Sequence, residues 1–344
     1  MDIEYTTLYE RPEYFNQVIK LIENEFGYTE KHSLKIDFAP LFKKENFKNL
    51  HIALYNDELV GHVGAKSKTI GPMSNNVPAC LFGGLTISKK YQGKGHFRNF
   101  FEYVMDLYEE DHAIFLLWSD KIDLYRKFDF VELGVIIQTP GIEEKSFSHK
   151  SFKKDKLKNL SEQQFNQIKE IYKKEFEDKL VTILRSNEDW EDIKNISSID
   201  LHYQEENDVI TSYILEGKGH DLQNTCHEVC ISNKELLSEI ANENKIWLYI
   251  DQLGQDSIPD NTDVIYGTLL KIANHHSFSS YVEKIGDKKI DIQGYSQDML
   301  QIFLDDKEYH LYKEDFLRGI FGPEFVTEFG ESIPPIFISG ADSI

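Results

Sequence analysis

Hydrophobic positions in the first 140 residues follow two alternating periods, one typical of strands and one typical of helices. After Pro12 the apolar residues recur every three or four positions, which predicts a helix that begins there. Strands are predicted at residues 3–8, 51–55, 59–70 and 80–87. Asn56-Asp57-Glu58 predicts a hairpin turn between the second and third of these strands, because Asn and Asp tolerate left-handed backbone. This alternation indicates an α/β unit.

A glycine-containing loop joins the strand at residues 80–87 to the next predicted helix. That helix begins at Phe97, with apolar residues three, four, seven and eleven positions later. Such a loop turns consecutive main-chain N–H groups toward one point, and the helix dipole adds to the field there, so residues 92–98 predict a pyrophosphate site. Four basic residues lie in or beside the loop: Lys89, Lys90, Lys94 and Arg98. A glycine turn with solvated lysines is the alternative interpretation of the loop alone.

The sequence after the loop strengthens the prediction of a coenzyme site. A strand at 113–118, a short helix at 122–127 and a strand at 128–137 are predicted in that order. The loop and a second motif resemble the GNAT superfamily of acetyl-CoA-dependent N-acetyltransferases. The family's Gln/Arg-x-x-Gly-x-Gly/Ala loop is matched from Gln92, with Phe97 in place of the last small residue. Its Leu-Tyr-x-Lys-x-Gly-Phe run is matched from Leu124, with Asp129 in place of the glycine.

The resemblance implies an α/β (α+β) fold with the mixed central sheet of a GNAT domain. It also implies acetyl-CoA as the cosubstrate, with its pyrophosphate on the loop and its pantetheine arm along the preceding strand. The residues expected to bind the coenzyme are Leu85, Thr86, Ile87, Gln92, Gly93, Lys94, Gly95, His96, Phe97 and Arg98. Tyr125 is expected to give a proton to the departing thiolate, and no metal is expected. Trp118 stands about where many members place an asparagine that contacts the coenzyme.

The group that takes the proton from the attacking amine is not identified by the sequence. Direct transfer needs a neutral amine, a stabilised oxyanion and a proton for the leaving thiolate. Asp120, just beyond the strand at 113–118, is a candidate base, Glu25 is another, and water could serve. By analogy with acetyltransferases of the enhanced-intracellular-survival type, the terminal carboxylate at Ile344 is a further candidate.

The second half of the chain repeats part of the first at an offset of 150 residues. Phe165-Asn166-Gln167 repeats Phe15-Asn16-Gln17, and a turn at Glu206-Asn207-Asp208 repeats the first hairpin. A strand predicted at 225–231 then passes into a helix without a glycine loop, so this copy has no evident pyrophosphate site. Four segments are predicted: a GNAT domain at 1–140, a linker at 141–158, a degenerate GNAT-like domain at 159–295, and a tail at 296–344 that packs on the domains. The tail contains a helix-like run at 298–305.

Charge narrows the classes of partner. The 344 residues include 38 Lys and Arg against 59 Asp and Glu, a formal charge of −21, which argues against nucleic acid or an anionic membrane as the main partner. The same charge favours a cationic small-molecule or peptide amine as acceptor. No signal peptide or membrane span is evident, so a cytoplasmic protein is expected. The oligomeric state is left open.

Three cysteines cannot form a disulfide framework in a chain of this length. Two of them flank His227 in the run 226–230, but in a strand the cysteines share one face and His227 points to the other. We therefore favour half-buried strand cysteines over a metal site.

Two function classes stay open. One is an amine acetyltransferase, and transfer of a longer acyl or aminoacyl group is a variant of it that changes only the donor. The other is a non-catalytic acyl-CoA-binding or interaction protein whose site has decayed at Phe97, Trp118 and Asp129.

Overall fold

The computed structural model describes residues 3–29, 32–141, 145–254, 258–305, 307–324 and 333–344. The strands are β1 (Glu4–Thr7), β2 (Leu50–Tyr55), β3 (Glu58–Gly71), β4 (Val77–Ile87), β5 (Ile114–Leu117), β6 (Val131–Leu133), β7 (Ile136–Gln138), β8 (Lys153–Asp155), β9 (Thr182–Ile183), β10 (Asp200–Glu206), β11 (Val209–Glu216), β12 (Cys226–Cys230), β13 (Trp247–Tyr249), β14 (Asp263–Ile265), β15 (Thr268–Ile272), β16 (Ile290–Gly294), β17 (Met299–Leu304) and β18 (Lys307–Tyr312). The α-helices are α1 (Phe15–Glu25), α2 (Leu34–Asp37), α3 (Ala39–Phe42), α4 (His96–Asp106), α5 (Ile122–Arg126), α6 (Glu162–Tyr172), α7 (Asn187–Lys194), α8 (Lys234–Glu243), α9 (His275–Gly286) and α10 (Lys313–Phe321).

The largest sheet has the strand order β1-β2-β3-β4-β5-β15-β6, with β9 paired to the end of β3. Its neighbouring strands are antiparallel except for β4 and β5, which are parallel. This arrangement confirms the predicted mixed central sheet. The pairing of β4 with β5 extends only over Ala79–Leu81, so the later residues of β4 are free to diverge from β5.

The divergence has a local cause in β4. Gly64 pairs with Gly83 and His62 pairs with Thr86, so β4 has one residue more than β3 between these two pairs. Gly84, inside this interval, has a φ of 62°, which glycine adopts without strain. An extra residue of this kind is a β-bulge, which bends the strand and increases its twist. The bulge thus accounts for the opening between β4 and β5.

Helix α4 lies on the central sheet through the apolar residues that its spacing predicts. Phe100, Phe101 and Val104 are each at most 1% exposed. The ring of Phe101 meets that of Phe82 on β4 edge to face, with the ring centroids 5.3 Å apart. This packing fixes the start of α4, and with it the glycine loop, at the end of β4.

The predicted hairpin turn is present in both halves of the chain. Asn56 and Asp57 have φ of 50° and 60°, and Asn207 and Asp208 have φ of 51° and 63°. Both pairs therefore form two-residue turns with left-handed backbone, the type that matches the twist of a hairpin. An offset of 150 from Asn56 and Asp57 predicts turn residues 206 and 207. The observed turn residues are Asn207 and Asp208, one position later.

The second half contains a four-stranded antiparallel sheet in the order β12-β11-β10-β8. A parallel bridge joins Cys226 of β12 to Ile246, beside β13. The two halves also exchange strands. β7 pairs with β13 and β14, while β15 enters the central sheet between β5 and β6. α9 and α10 pack in one core with the central sheet and with a third sheet of β16, β17 and β18.

Two predictions of local structure were wrong. The strand predicted at 128–137 is divided into β6 and β7, which belong to different sheets because Gly134, with a φ of 72°, turns the chain between them. The run at 298–305 is not helical, since alternate residues of β17 are buried in the manner of a strand. The linker at 141–158 stays a prediction; β8 lies within it and pairs with β10, and residues 142–144 lie outside the described ranges.

A buried group of charges joins the end of the chain to the second half. The guanidinium of Arg185, whose side chain is 0% exposed, contacts Asp342 at 2.9 Å and Glu228 of β12 at 2.5 Å. It also lies 3.8 Å from the ring centroid of Tyr172. One guanidinium thus compensates the charge of two fully buried carboxylates.

None of the helices in the described ranges is long and apolar enough to span a membrane.

Replacement of the Arg185 guanidinium tests how much the fold depends on the buried charges. We expect Arg185→Met to lower the free energy of unfolding by about 3–5 kcal/mol, because Glu228 and Asp342 then lose their buried partner. Urea denaturation measures the change. Lys153→Met, which removes an exposed ion pair with Glu205, is the control and should leave the urea midpoint unchanged. A midpoint that is equal for both variants would contradict a structural role for the cluster.

Candidate active site

The loop between β4 and α4 presents main-chain N–H groups at the helix N-terminus. Gly93 and Gly95 have φ of 73° and 80°, left-handed backbone that strains a residue with a side chain. The first helical hydrogen bond joins the Asn99 N–H to Gly95 O at 3.3 Å, so the N–H groups of residues 96–98 precede the helical ladder. Within the described chain, no side chain caps α4. An anion is the group that such a helix end binds.

A cavity of about 780 Å³ extends from this loop into the opening between β4 and β5. The residues in its wall that the sequence predicted as site residues are Leu85, Thr86, Ile87, Gln92, Gly93, Gly95, His96, Phe97, Asp120 and Tyr125. Two predicted residues lie outside the wall. The Lys94 ammonium donates to Lys90 O at 3.3 Å, and the Arg98 guanidinium donates to Glu102 at 2.9 Å. Their exposed side chains are turned to the surface of the loop and helix, which the local sequence does not reveal.

The bulge in β4 is supported by a buried histidine. His62, which is 0% exposed, donates from Nδ1 to Gly84 O at 2.8 Å. Burial lowers the pKa of His62 to about 4, so the ring is neutral near pH 7. Its Nε2 atom is buried and has no hydrogen-bond partner in the described part of the chain. The side chain therefore serves the main chain of β4 rather than the cavity.

Tyr125 of α5 reaches the cavity from the side of β5. Its side chain is 5% exposed, and its ring packs edge to face with those of Phe97 and Phe101, at centroid distances of 6.4 and 6.2 Å. Burial raises the pKa of Tyr125 to about 12, and nearby Asp120 raises it further while the Ser119 hydroxyl opposes the change. The phenol thus stays protonated at any working pH.

The three predicted base candidates all reach the cavity wall. Asp120 is exposed at the end of β5. Glu25, at the end of α1, accepts a hydrogen bond from the Gln92 amide at 3.4 Å. Ile344 packs against Gly83 of β4. Its main-chain oxygen is 2.4 Å from the position that a Cβ on Gly83 would occupy. Only a glycine at this position lets the two main chains approach so closely.

The departures from the family motifs have physical explanations. Phe97 stacks on Phe101 at 5.6 Å, so it joins the aromatic layer under the loop. Asp129 takes the place of a glycine because the position has a φ of 67°, which Asp tolerates better than most residues. Trp118 lines the cavity, but its indole N–H donates to Gly267 O at 2.9 Å. This donor is consequently committed to the main chain just before β15 and not to a coenzyme.

The far end of the cavity contains residues that the sequence analysis missed. Tyr28, Phe38 and Asp221 lie there, together with Ser343 of the tail. The Tyr28 hydroxyl is buried without a hydrogen-bond partner among the described residues, and burial, Asp221 and Asp37 all raise its pKa. These residues come from separate segments of the chain, so no local spacing could have identified them.

The cysteine run 226–230 is a structural strand. All five residues of β12 are buried, so the cysteines are fully rather than half buried. Glu228, between them, is engaged with Arg185 and accepts from the Tyr213 hydroxyl at 2.6 Å. In the ranges that the structure describes, no group of three or more His, Cys, Asp or Glu residues could hold a metal ion.

Comparison with known proteins assigns the class. Residues 9–132 match the family model of an acetyltransferase (GNAT) domain. The range includes the glycine loop and the motif that contains Tyr125. This part of the chain is therefore similar to a GNAT acetyltransferase domain. No curated protein sequence gives a significant match.

Solved structures share the fold over most of the chain. A GCN5-related N-acetyltransferase from Anabaena variabilis has a TM-score of 0.61 and 16% identity, covering 90% of this chain and 85% of that one. A probable N-acyltransferase from Enterococcus faecalis has a TM-score of 0.61 and 11% identity, covering 90% and 84%. Eis1 from Mycobacterium abscessus has a TM-score of 0.56 and 12% identity, covering 90% and 85%. At these identities the similarity is one of fold.

The lowered pKa of His62 predicts a dependence of stability on pH. Between pH 7 and pH 5 the unfolded chain takes up a proton at this histidine, with a pKa of 6.5, while the folded chain does not, so acid destabilises the fold. The expected loss of stability between pH 7 and pH 5 is about 2 kcal/mol. His62→Gln should remove this pH dependence because glutamine does not titrate, and it should keep the fold because its amide can still donate to Gly84 O. Urea denaturation of both proteins at the two pH values measures it. Equal losses of stability in both would contradict the assignment of a neutral His62.

Proposed function

We propose that this chain is an acetyl-CoA-dependent N-acetyltransferase that passes the acetyl group directly to a primary amine. One observation carries the proposal: a single cavity includes the N–H groups of the glycine loop, the free edge of β4 and the hydroxyl-bearing Tyr125. An anion site, a strand edge and a proton donor are the three features that transfer from a thioester on a long phosphorylated carrier requires. A cytoplasmic location is part of the proposal.

The coenzyme site in this proposal begins at the loop. The pyrophosphate accepts hydrogen bonds from main-chain N–H groups of residues 93–98, where the α4 dipole favours negative charge. The pantetheine arm runs along Leu85, Thr86 and Ile87, adding to β4 on the side that β5 leaves open after Leu81. The thioester then lies between β4 and Tyr125.

The transfer step can be written with the residues at hand. The neutral amine attacks the thioester carbonyl, a C–N bond forms and the C–S bond breaks. The departing thiolate receives a proton from the Tyr125 hydroxyl, and the amine proton passes to a base, with Tyr125 reprotonated from water. Asp120 is the proposed base. Its carboxylate is exposed to water, and it lies close enough to Tyr125 to raise the pKa of the phenol. Ile344 is the competing candidate.

We propose a cationic amine as the acceptor class. The far end of the cavity lies near Asp221 and Asp37, and a carboxylate oxygen of Asp37 is buried without a hydrogen-bond partner among the described residues. The Tyr28 hydroxyl beside them also lacks such a partner. An amine substrate with a second positive group would satisfy these acceptors and gain from the negative charge.

The second half is proposed to be a degenerate GNAT-like copy. Strands β8, β10, β11 and β12, followed by α8 and β13, repeat the order of β1 to β4, α4 and β5. The copy differs at the point where a coenzyme would bind, because Asn233 caps α8 with its own side chain, accepting from two main-chain N–H groups at 3.0 and 3.1 Å. Two of the main-chain N–H groups at the start of α8 are therefore already occupied by a side chain.

Coenzyme binding is tested at the loop. We expect Gly95→Val to abolish measurable acetyl-CoA binding, because a φ of 80° is unfavourable for a β-branched residue and the N–H groups at the start of α4 would be displaced. Titration calorimetry measures the affinity. Lys94→Ala is the matched control, and it should bind within about threefold of the wild type because its side chain lies outside the cavity. Undiminished binding by Gly95→Val would refute the loop as the pyrophosphate site.

Acyl transfer is tested at Tyr125. Tyr125→Phe should lower kcat about 100-fold or more while acetyl-CoA affinity is unchanged, because only the proton donor is lost. Thiol release is followed with a panel of mono- and diamines, among which the diamines should react faster. Tyr103→Phe, which removes a hydroxyl outside the cavity, is the control and should be fully active. Tight acetyl-CoA binding without turnover on any amine would favour the alternative of a non-catalytic acyl-CoA-binding protein.

A further inference from the structure

The last residues of the described chain reach into the cavity of the amino-terminal domain. Gly340, Ser343 and Ile344 form part of its wall, and Ile344 lies on Gly83 of β4. The segment 339–344 contains a short 3-10 turn, Gly340–Asp342, whose main-chain hydrogen bonds, from Asp342 N–H to Ser339 O and from Ser343 N–H to Gly340 O, are local. Such bonds do not fix where the segment lies on the protein. Its position must be set by other contacts.

A buried lysine of the second half supplies one set of these contacts. Lys218 follows β11 and is 1% exposed. Its ammonium donates to the main-chain oxygens of Gly340, Ala341 and Ser343 at 3.1, 3.2 and 2.5 Å, and lies 3.1 Å from the Ser343 hydroxyl. All of these acceptors belong to the tail. Lys218 thus connects the end of β11 to the tail.

Arg185 supplies the second set. Its guanidinium binds the Asp342 carboxylate through Nε at 3.0 Å and Nη2 at 2.9 Å, in the paired geometry that arginine forms with a carboxylate. The same guanidinium is held by Glu228 of β12, so the tail is tied to a strand in the core of the second half. Gly340 lies so close to His227 and Leu222 that a Cβ there would come within 2.7 and 2.4 Å of them.

We propose that Lys218 and Arg185 form a clasp that positions residues 340–344 as a wall of the transfer site, so that the second half completes the site of the first, an inference that rests on the proposed function. Lys218 and Arg185 are positioning residues, since neither lines the cavity. The clasp holds Ile344 against β4 beside the expected thioester, where it limits how the acceptor amine can approach. This gives the degenerate copy a role that does not need a coenzyme.

The test compares Lys218→Met with the wild-type chain in three measurements. Acetyl-CoA affinity, from calorimetry, should stay within about twofold, because the loop and β4 are unchanged. The value of kcat for an amine should fall at least tenfold, since a small displacement of a site wall costs reactivity. Hydrogen exchange of the amides in 340–344 should become fast, whereas amides in α4 keep their protection. Lys218→Arg, which retains the charge and donors, should restore part of the tail protection.

Lys156→Met is the matched control. Lys156 also clasps main chain, donating to Ser197 O at 2.7 Å and Ile199 O at 3.0 Å, but at a site away from the cavity. It should leave kcat and tail exchange at the wild-type values. A Lys218→Met protein with protected tail amides and kcat within twofold of the wild type would overturn the clasp.

If Lys218→Met does not fold, a deletion of residues 343 and 344 tests whether the tail is a wall of the transfer site. The carbonyls of Gly340 and Ala341 remain, so the deleted protein keeps acceptors for Lys218 and should bind acetyl-CoA normally. Loss of turnover supports the proposal, and wild-type turnover overturns it. If the wild-type chain acetylates no amine at all, the proposed function has failed, and the hydrogen-exchange comparison of Lys218→Met still decides whether the clasp positions the tail.

Discussion

The opening between β4 and β5 is the constraint on which the rest of the site depends. Two parallel strands normally pair along their length, and here the pairing stops after Leu81 because β4 has an extra residue at Gly84. The bulge is held by a neutral, fully buried His62 that donates to the main chain of Gly84. Without this bend, β4 would offer no free edge, and the cavity from the glycine loop to Tyr125 would be closed.

The two halves of the chain are interdependent. β15 completes the central sheet and β7 crosses to the sheets of the second half, so neither half keeps all of its own strands. The tail then returns to the first domain, where Ile344 meets Gly83 at the cavity. The ion pairs of Arg185 with Asp342 and Glu228 and the hydrogen bonds of Lys218 to the tail main chain secure this return. The second half therefore contributes strands and tail residues to the part of the chain that contains the glycine loop.

Much of the first domain could be predicted from local patterns. The helical spacing after Phe97 placed Phe100 and Phe101 on the buried face of α4, and Asn56-Asp57 marked a hairpin turn. These predictions succeeded because each depends on a few neighbouring residues. The predictions for 128–137 and 298–305 failed because the same apolar run suits more than one structure, and the partner strand decides between them.

The sequence by itself determined the loop and motif that identify the acetyltransferase domain, since main-chain conformation at Gly93 and Gly95 is set locally by the absence of a side chain. Tertiary structure alone decided which groups share the cavity. Tyr28 and Ile344 are far apart in the chain, and the burial that raises the pKa of Tyr125 to about 12 comes from residues packed around it. Contact between distant segments and exclusion of water are properties of the folded chain, so no local pattern could express them.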